Sequence, residues 1–505
     1  MSKKERKLNL VRVHRFSVYY SNLNEEERNR LDNFFAELDT RLMIPRSHKR
    51  LIKIDFQRAF TTYHEMGVSL DEAFKRLDLS NLGGFYSRYS DLWLPLDDVA
   101  KSYTQYVDRT TMSVFRLAAY VKERVSPELL QTALNFTIKR FPYFAMSIKK
   151  GVFWHYLESI NGRLAIEKES SIPVQRIYLS LSGSKAFRVL FFENRISVEF
   201  FHGMTDGTGA KEFLKTLLLT YLRLLGKDIP ESDLVIEPNS IINNAEYKNE
   251  FPSIKRKNST SGYINKKALQ LSGRLTLEKP ARVLHFKMQT DKLKEVCKRY
   301  NVNVTAYMAA LIFFACKASI DEINGDVSIT IPVNMRRCFP SDSLRNFSLF
   351  SSLREDINQI KDFPEFCLKI YDQLKDKTQK DKMLEMMAST AGLFHQMRLI
   401  PLPLKQPVTR LLCKILGDRI FTTALSNLGV VDLPEEMAKE IISMDFVLGT
   451  TVINRTQNAL ITVNNVTTLS ISKYTKDPSF EEKLYELLTR DGLEIEVEGS
   501  ATYGS

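Results

Sequence analysis

Residues 187–225 carry the clearest change of hydrophobic period in the chain. In the run from Arg195 onwards, Ile196, Val198, Phe200 and His202 fall on one side of an alternating segment, the two-residue period of a β-strand. The preceding stretch, Phe187 to Phe192, has the same character, and Glu193-Asn194 between the two predicts a hairpin. After Gly207 the period becomes helical. Phe213, Leu214, Leu217, Leu218, Tyr221, Leu222 and Leu225 recur on one face, and Gly226 supplies a stop. His202 is therefore the last residue of a strand, followed by a tight turn, with Asp206 or Thr208 available to cap the next helix. An imidazole so placed can face a cleft.

The rest of the chain extends this pattern on both sides. Residues 1–95 read as an N-terminal helical extension, with helices over Asn22 to Met43 and Ser69 to Leu77 that stop before Gly83-Gly84. Phe115 to Val121 reads as a strand. Ser126-Pro127-Glu128 then opens a helix whose stripe is Leu129, Leu130, Ala133, Leu134 and Ile138. Arg140 to Phe144 (RFPYF) closes that helix, and strands are expected over Ala145 to Ile148 and Val152 to Leu157. The polar stretch 228–270 reads as a surface linker, the alternative being that Lys255, Arg256 and Lys257 attract the phosphates of a nucleotide-bearing donor at long range. Beyond Leu271 come a strand, a helix, and a helix apolar all round over residues 303–320. A strand over residues 327–333 follows, with Arg336 and Arg337 just beyond it and Asn346-Phe347 ahead of the next strand. Closing strands and a helix over Ser479 to Leu488 complete an α/β (α+β) organisation, divided as 1–95, 96–270 and 271–505.

Composition narrows the function classes. With 505 residues, 44% apolar and 26% charged, the chain can fill more than one core and is not of disordered type. The net charge of +12 favours phosphorylated partners but comes without a nucleic-acid-binding motif, so no nucleic-acid partner is expected. Five scattered cysteines with no paired spacing predict a reducing compartment without disulfides or structural zinc. The basic N-terminus has no apolar core of a signal peptide, and the longest apolar run, around Val304 to Cys316, is too short to span a bilayer. A cytoplasmic protein with no transmembrane segment is expected. A lone histidine ending an apolar strand is more often structural than catalytic. His202 and Asp206 as metal ligands would flank a turn with no further His or Cys nearby, so no metal is expected.

The segment His202-Gly203-Met204-Thr205-Asp206-Gly207 resembles the HxxxDG motif of the chloramphenicol-acetyltransferase-like superfamily. That superfamily includes the condensation domains of nonribosomal peptide synthetases, plant-type acyltransferases and alcohol acetyltransferases. The strand, helix and RFPYF stretch before it, Arg336 with Asn346-Phe347 after it, and Ser426-Asn427-Leu428-Gly429 are similar to further segments of the superfamily in the same order. The SNLG-like segment is the one expected to cross between lobes and line a tunnel. Phe201 stands where condensation domains usually have a first histidine, and the plant-type DFGWG tail is absent. Both departures point toward bacterial alcohol-acetyltransferase-like proteins.

The resemblance implies two such lobes, each a mixed sheet flanked by helices, and acyl transfer from a thioester to a hydroxyl or amine. His202 would be the general base, a role suited to a neutral imidazole with an ordinary pKa of ~6.5. Asp206 would pair with Arg336, Arg337 being the alternative, and Gly207 would let the chain enter the helix tightly. Ser426, Asn427 or the backbone amides near Gly207 would meet the oxyanion or line the tunnel. No cofactor is retained. Acyl-CoA, or an acyl-phosphopantetheine, would be a co-substrate, with a small alcohol or amine as acceptor. Two other readings stay open: a condensation-like enzyme supplied by an acyl carrier protein in trans, and a non-catalytic binding protein of the same fold.

Overall fold

The computed structural model describes residues 14–87, 93–106, 113–160, 162–169, 173–175, 177, 185–251, 266–276, 282–412, 418–450 and 454–499. The triplet Lys255, Arg256 and Lys257 lies outside them, as does Cys413. Helices α1 (Glu25–Arg41), α2 (Arg46–Glu65) and α3 (Leu70–Arg76) lead the chain. Asn24 and Glu27 form a reciprocal capping box at the start of α1, satisfying amides that the first helical turn leaves open. Phe34, on the buried stripe of α1, meets Phe60 edge-on at 5.1 Å, and Phe56 of α2 reaches Phe136 at 5.9 Å. Phe136 lies in α5, introduced below, so the leading helices share one continuous core with the body that follows.

That body contains β1 (Trp93–Pro95), α4 (Asp98–Tyr106), β2 (Val114–Val121), α5 (Pro127–Thr137), β3 (Met146–Lys150), β4 (His155–Ser159), β5 (Ile166–Lys168), β6 (Phe187–Phe192), β7 (Arg195–Phe201) and α6 (Gly207–Leu224). Gly151 N–H donates to the Trp154 carbonyl and closes a four-residue turn. The strand expected from Val152 therefore begins at His155, and Val152 to Trp154 form a hairpin tip.

The second half holds β8 (Arg282–Gln289), α7 (Thr290–Arg299), α8 (Val304–Ala318), β9 (Asp326–Asn334), β10 (Ser348–Asp356), α9 (Phe363–Lys377), α10 (Lys380–Gln396), α11 (Leu402–Leu412), β11 (Thr423–Val430), β12 (Ile441–Leu448), β13 (Thr456–Val463), β14 (Val466–Lys473), α12 (Ser479–Arg490) and β15 (Glu496–Gly499). Seven strands form one mixed sheet in the order β10-β9-β11-β13-β14-β8-β15, and α8 is buried against it along nearly its whole length. The smaller sheets are β12-β2-β7-β6-β5 and β1-β4-β3.

Two features tie the halves together. Strand β12 leaves the second half and pairs antiparallel with β2, Asp445 opposite Ala118. The crossing is thus made one strand later than the SNLG segment, which stays inside the large sheet as β11 between β9 and β13. The alternation of β7 also has an unexpected outcome, because both of its faces are buried. Ile196, Val198 and Phe200 pack in the helix-side core, while Arg195 and Glu199 sit with Arg116 and Glu169 in an ion network. Arg116 is 2.7 Å and Arg195 2.9 Å from Glu169. Tyr120 donates to Asp445 at 2.9 Å, and Asp445 lies 3.6 Å from His285 of β8. Such buried ions contribute little net stability, but removing one partner strands the other.

Candidate functional site

His202 follows directly on β7, and its N–H donates to the Ser113 carbonyl at 2.7 Å, which ties the strand end to the residue preceding β2. The ring lies parallel to Tyr103 of α4, centroids 4.5 Å apart and planes 8° apart, with Phe115 tilted against it at 5.0 Å. Asn346 fixes the remaining side. Ser348 N–H donates to Asn346 Oδ1 at 3.2 Å, which turns the amide NH2 toward His202. That NH2 donates to the His202 carbonyl at 2.7 Å and lies 3.0 Å from ring Nδ1. Burial pushes the imidazole below its ordinary pKa, against weaker raising effects from its own backbone carbonyl and from Asp206. The ring is neutral at pH 7, and His202 keeps part of its surface accessible.

Asp206 does not touch the imidazole. Its Oδ1 accepts from Thr208 N–H (3.1 Å) and Gly209 N–H (3.2 Å), capping α6. Its Oδ2 accepts from Arg336 Nη1 (2.7 Å), Phe347 N–H (2.9 Å) and the Ser348 hydroxyl (3.1 Å). Arg336 also donates to the carbonyls of Ser343 and Arg345, so it pins the loop before β10 to the start of α6. Arg337 is exposed. The structure thus brings together His202, Asp206, Arg336 and Asn346 from both halves of the chain.

The other expected residues divide. The backbone of Gly207 is not left-handed. A Cβ there would stand 2.9 Å from the Leu428 side chain of β11. At Gly209 a Cβ would lie 2.2 Å from Thr205 Oγ1 and 2.3 Å from the Leu344 carbonyl oxygen, so the tight approach belongs to Gly209. Asn427 donates to Thr305 of α8 at 3.0 Å and accepts from Gly429 N–H at 2.9 Å, which commits its amide to the helix side of the sheet. Ser426 projects to the opposite face, the one whose Leu428 reaches Gly207. The Ser426 hydroxyl makes no hydrogen bond among the described residues. The amides of Thr208 and Gly209 are spent on Asp206.

Two contributors had no motif to announce them. Tyr103 carries no distinctive spacing, and α10 contributes Met383 and Met387 to an apolar cluster with Val99, Met335, Phe347 and Leu349, against which Tyr103 packs. The wall beside the imidazole is therefore apolar and rich in adaptable methionine.

No protein-family model matches the chain, and no curated protein matches its sequence. Solved structures do match. A trichothecene 15-O-acetyltransferase of Fusarium sporotrichioides, TRI3, superposes with a TM-score of 0.54 at 12% identity, over 80% of this chain and 96% of that one. TRI101 of the same organism, solved with coenzyme A and T-2, gives 0.52 at 11% identity, over 80% of this chain and 99% of that one. The starter condensation domain of rhizomide synthetase RzmA, solved with C8-CoA, gives 0.53 at 11% identity, over 80% and 98%. The chain has the chloramphenicol-acetyltransferase-like fold. Its two lobes are the mixed five-stranded and seven-stranded sheets with their flanking helices. The HxxxDG-like turn and the Arg336 loop lie where those lobes meet.

Proposed function

We propose that this protein is an acyltransferase that moves an acyl group from a CoA thioester to a hydroxyl or amine, with His202 as general base. The observation that carries the reading is the setting of His202: an imidazole that burial keeps neutral, on a residue that is partly accessible at the lobe junction, held by two aromatic rings and by Asn346. In the productive tautomer Nδ1 carries the proton and turns it toward the residue's own carbonyl, so the Asn346 NH2 donates to that carbonyl and not to Nδ1, and the Nε2 lone pair faces the acceptor. The acceptor oxygen or nitrogen attacks the thioester carbon as Nε2 takes its proton. Collapse of the tetrahedral intermediate breaks the C–S bond, and the departing thiolate takes the same proton from His202. No covalent acyl-enzyme is needed. Ser426 is the side chain best suited to donate to the oxyanion, its neighbours in the motif being otherwise engaged. The methionine-rich wall suits an apolar acyl chain or acceptor body.

Structural likenesses to a trichothecene 15-O-acetyltransferase, to TRI101 solved with coenzyme A, and to a condensation domain solved with C8-CoA support the chemistry by analogy of fold alone. The test is thiol release by the purified protein, with acetyl-CoA and longer acyl-CoAs against a panel of alcohols and amines, and with an acyl-carrier thioester in parallel. Release from CoA that depends on acceptor and collapses in His202→Ala supports the reading. Release from the carrier thioester alone would move the donor to a carrier protein, and near-full activity in His202→Ala would remove the base assignment.

A further inference from the structure

Beyond the junction of the lobes, the β3–β4 hairpin tip and the turn between α10 and α11 lie side by side. Leu402 N–H donates to the Val152 carbonyl at 2.8 Å, and Trp154 meets Phe394 at 5.8 Å. Lys405 lies over the Trp154 ring at 3.2 Å and fixes the tip to α11. Five large apolar side chains stand out from these two segments: Val152 (70% exposed), Phe153 (41%), Leu399 (71%), Ile400 (43%) and Leu404 (67%). Apolar residues scattered singly over a surface need no explanation, but a cluster on two joined, protruding turns does.

The charge around this cluster is predominantly positive. From Met386 to Gly417 the chain contains no Asp or Glu, and the one acid of the β3–β4 hairpin, Glu158, is paired with Lys149 at 3.5 Å. Lys150 and Arg398 flank the apolar tips and are exposed. A second copy of the chain would bring like charges together across a two-fold contact. Val152, Leu399 and Leu404 are 67–71% exposed, which suits insertion into a soft surface more than docking of a protein. Among the described residues no single helix is long and apolar enough to cross a membrane, so the contact is peripheral.

We propose that the tips of the β3–β4 hairpin and the α10–α11 turn form a docking surface for an anionic lipid bilayer, Val152, Phe153, Leu399, Ile400 and Leu404 entering the interface while Lys150 and Arg398 meet the headgroups. Helix α4 links this surface to the candidate site, since Lys101 lies 5.4 Å from the Trp154 ring and Tyr103 stacks on His202. On the acyltransferase reading, that link suits an acceptor or acyl chain dissolved in the membrane. The bilayer contact itself does not depend on that reading.

The test is co-sedimentation of the full chain with vesicles of phosphatidylcholine alone and of phosphatidylcholine with phosphatidylglycerol in equal parts, at low and high salt. Binding is expected to the mixed vesicles, weakened by salt. Neutralising Lys150 and Arg398 together should weaken it roughly 25-fold, at about fivefold per cation. Phe153→Asp combined with Leu399→Asp should weaken it by about tenfold or more, with an unchanged circular dichroism spectrum and melting curve. No binding to either vesicle would overturn the proposal, as would binding that survives the aspartate pair. A concentration-dependent dimer abolished by Phe153→Asp would assign the patch to a second copy instead and would equally overturn it.

Discussion

Arg336 donates to Asp206 across 2.7 Å, joining the loop after β9 in one lobe to the helix cap behind His202 in the other. The carboxylate is 2% exposed and takes five hydrogen bonds in all, only one of them from a cation. Its position is thus over-determined, and it acts on His202 through the backbone of the turn and not through the ring. Deleting Arg336 leaves a buried carboxylate without its counter-charge. Arg336→Met is expected to lose about 3–5 kcal/mol in chemical denaturation. Arg337→Met, at the exposed neighbour, should stay within ~0.5 kcal/mol. Equal losses in the two variants would contradict the assignment.

The two glycines of the motif helix should separate sharply. A methyl at Gly209 meets the Leu344 backbone oxygen and Thr205 Oγ1, neither of which can withdraw without breaking the 2.6 Å bond between Thr205 and Leu344. Gly209→Ala should cost several times the ~1–3 kcal/mol typical of mild overpacking, or prevent folding. Gly207→Ala meets only the flexible end of Leu428 and should melt within a few degrees of the parent, while narrowing the junction between α6 and β11. A reversed order in thermal unfolding would show that the packing at this turn has been misjudged.

What the sequence disclosed of this site follows from where its physics is local. The strand-turn-helix around His202 is written in adjacent residues, as period, cap and glycine, and the buried α8 announces itself by its unbroken apolar run. Tyr103 and the methionines of α10 are brought to the site by tertiary packing, which leaves no local signature. The same holds for the polar face of β7. Alternation reads as one solvated side, yet Arg195 and Glu199 are buried and paired with Glu169 and Arg188 of the same lobe. Gly207 drew notice because it ends a motif, although the crowding that demands a glycine falls at Gly209, against a loop that sequence proximity does not reveal. The hairpin tip Val152 to Trp154 read as strand because its residues favour strands, and the turn there is imposed by the pairing of β3 with β4.

Asn346 provides a test of the base through pH. Burial holds His202 below its ordinary pKa, so kcat/KM should be level through neutral pH and fall only on acidification below ~6.5, as the ring gains a proton and loses its lone pair. Asn346→Asp replaces an amide with a carboxylate beside Nδ1. The charge favours the imidazolium, so the acid limb should move to higher pH while the fold is kept. Asn346→Leu should lower activity without raising the limb. A limb that stays put in Asn346→Asp would mean that another group sets the profile.

A second buried imidazole makes a prediction about stability instead of turnover. His285 is fully buried, 2.9 Å from the Ser470 hydroxyl and 3.6 Å from Asp445. Burial lowers its pKa, against raising effects from Asp445 and Glu498, with Lys287 and Arg195 adding to the lowering. The unfolded chain protonates this ring near ~6.5, whereas the native state resists doing so. Between those two pKa values the unfolded state binds more protons, so stability rises with pH there and is lost as pH falls. The loss is up to about 1.4 kcal/mol per pH unit for each such ring. His202 and His48 move in the same direction, so each adds to the loss on acidification from neutral pH. His285→Gln removes one of these three contributions while leaving a side chain able to bond Ser470. Denaturation midpoints followed from pH 7.5 to 5.5 should therefore fall less steeply in His285→Gln than in the parent, by about a third of the histidine-dependent slope. An unchanged slope would place the acid sensitivity in the carboxylates, and the His285 ring would then be protonating within the folded state.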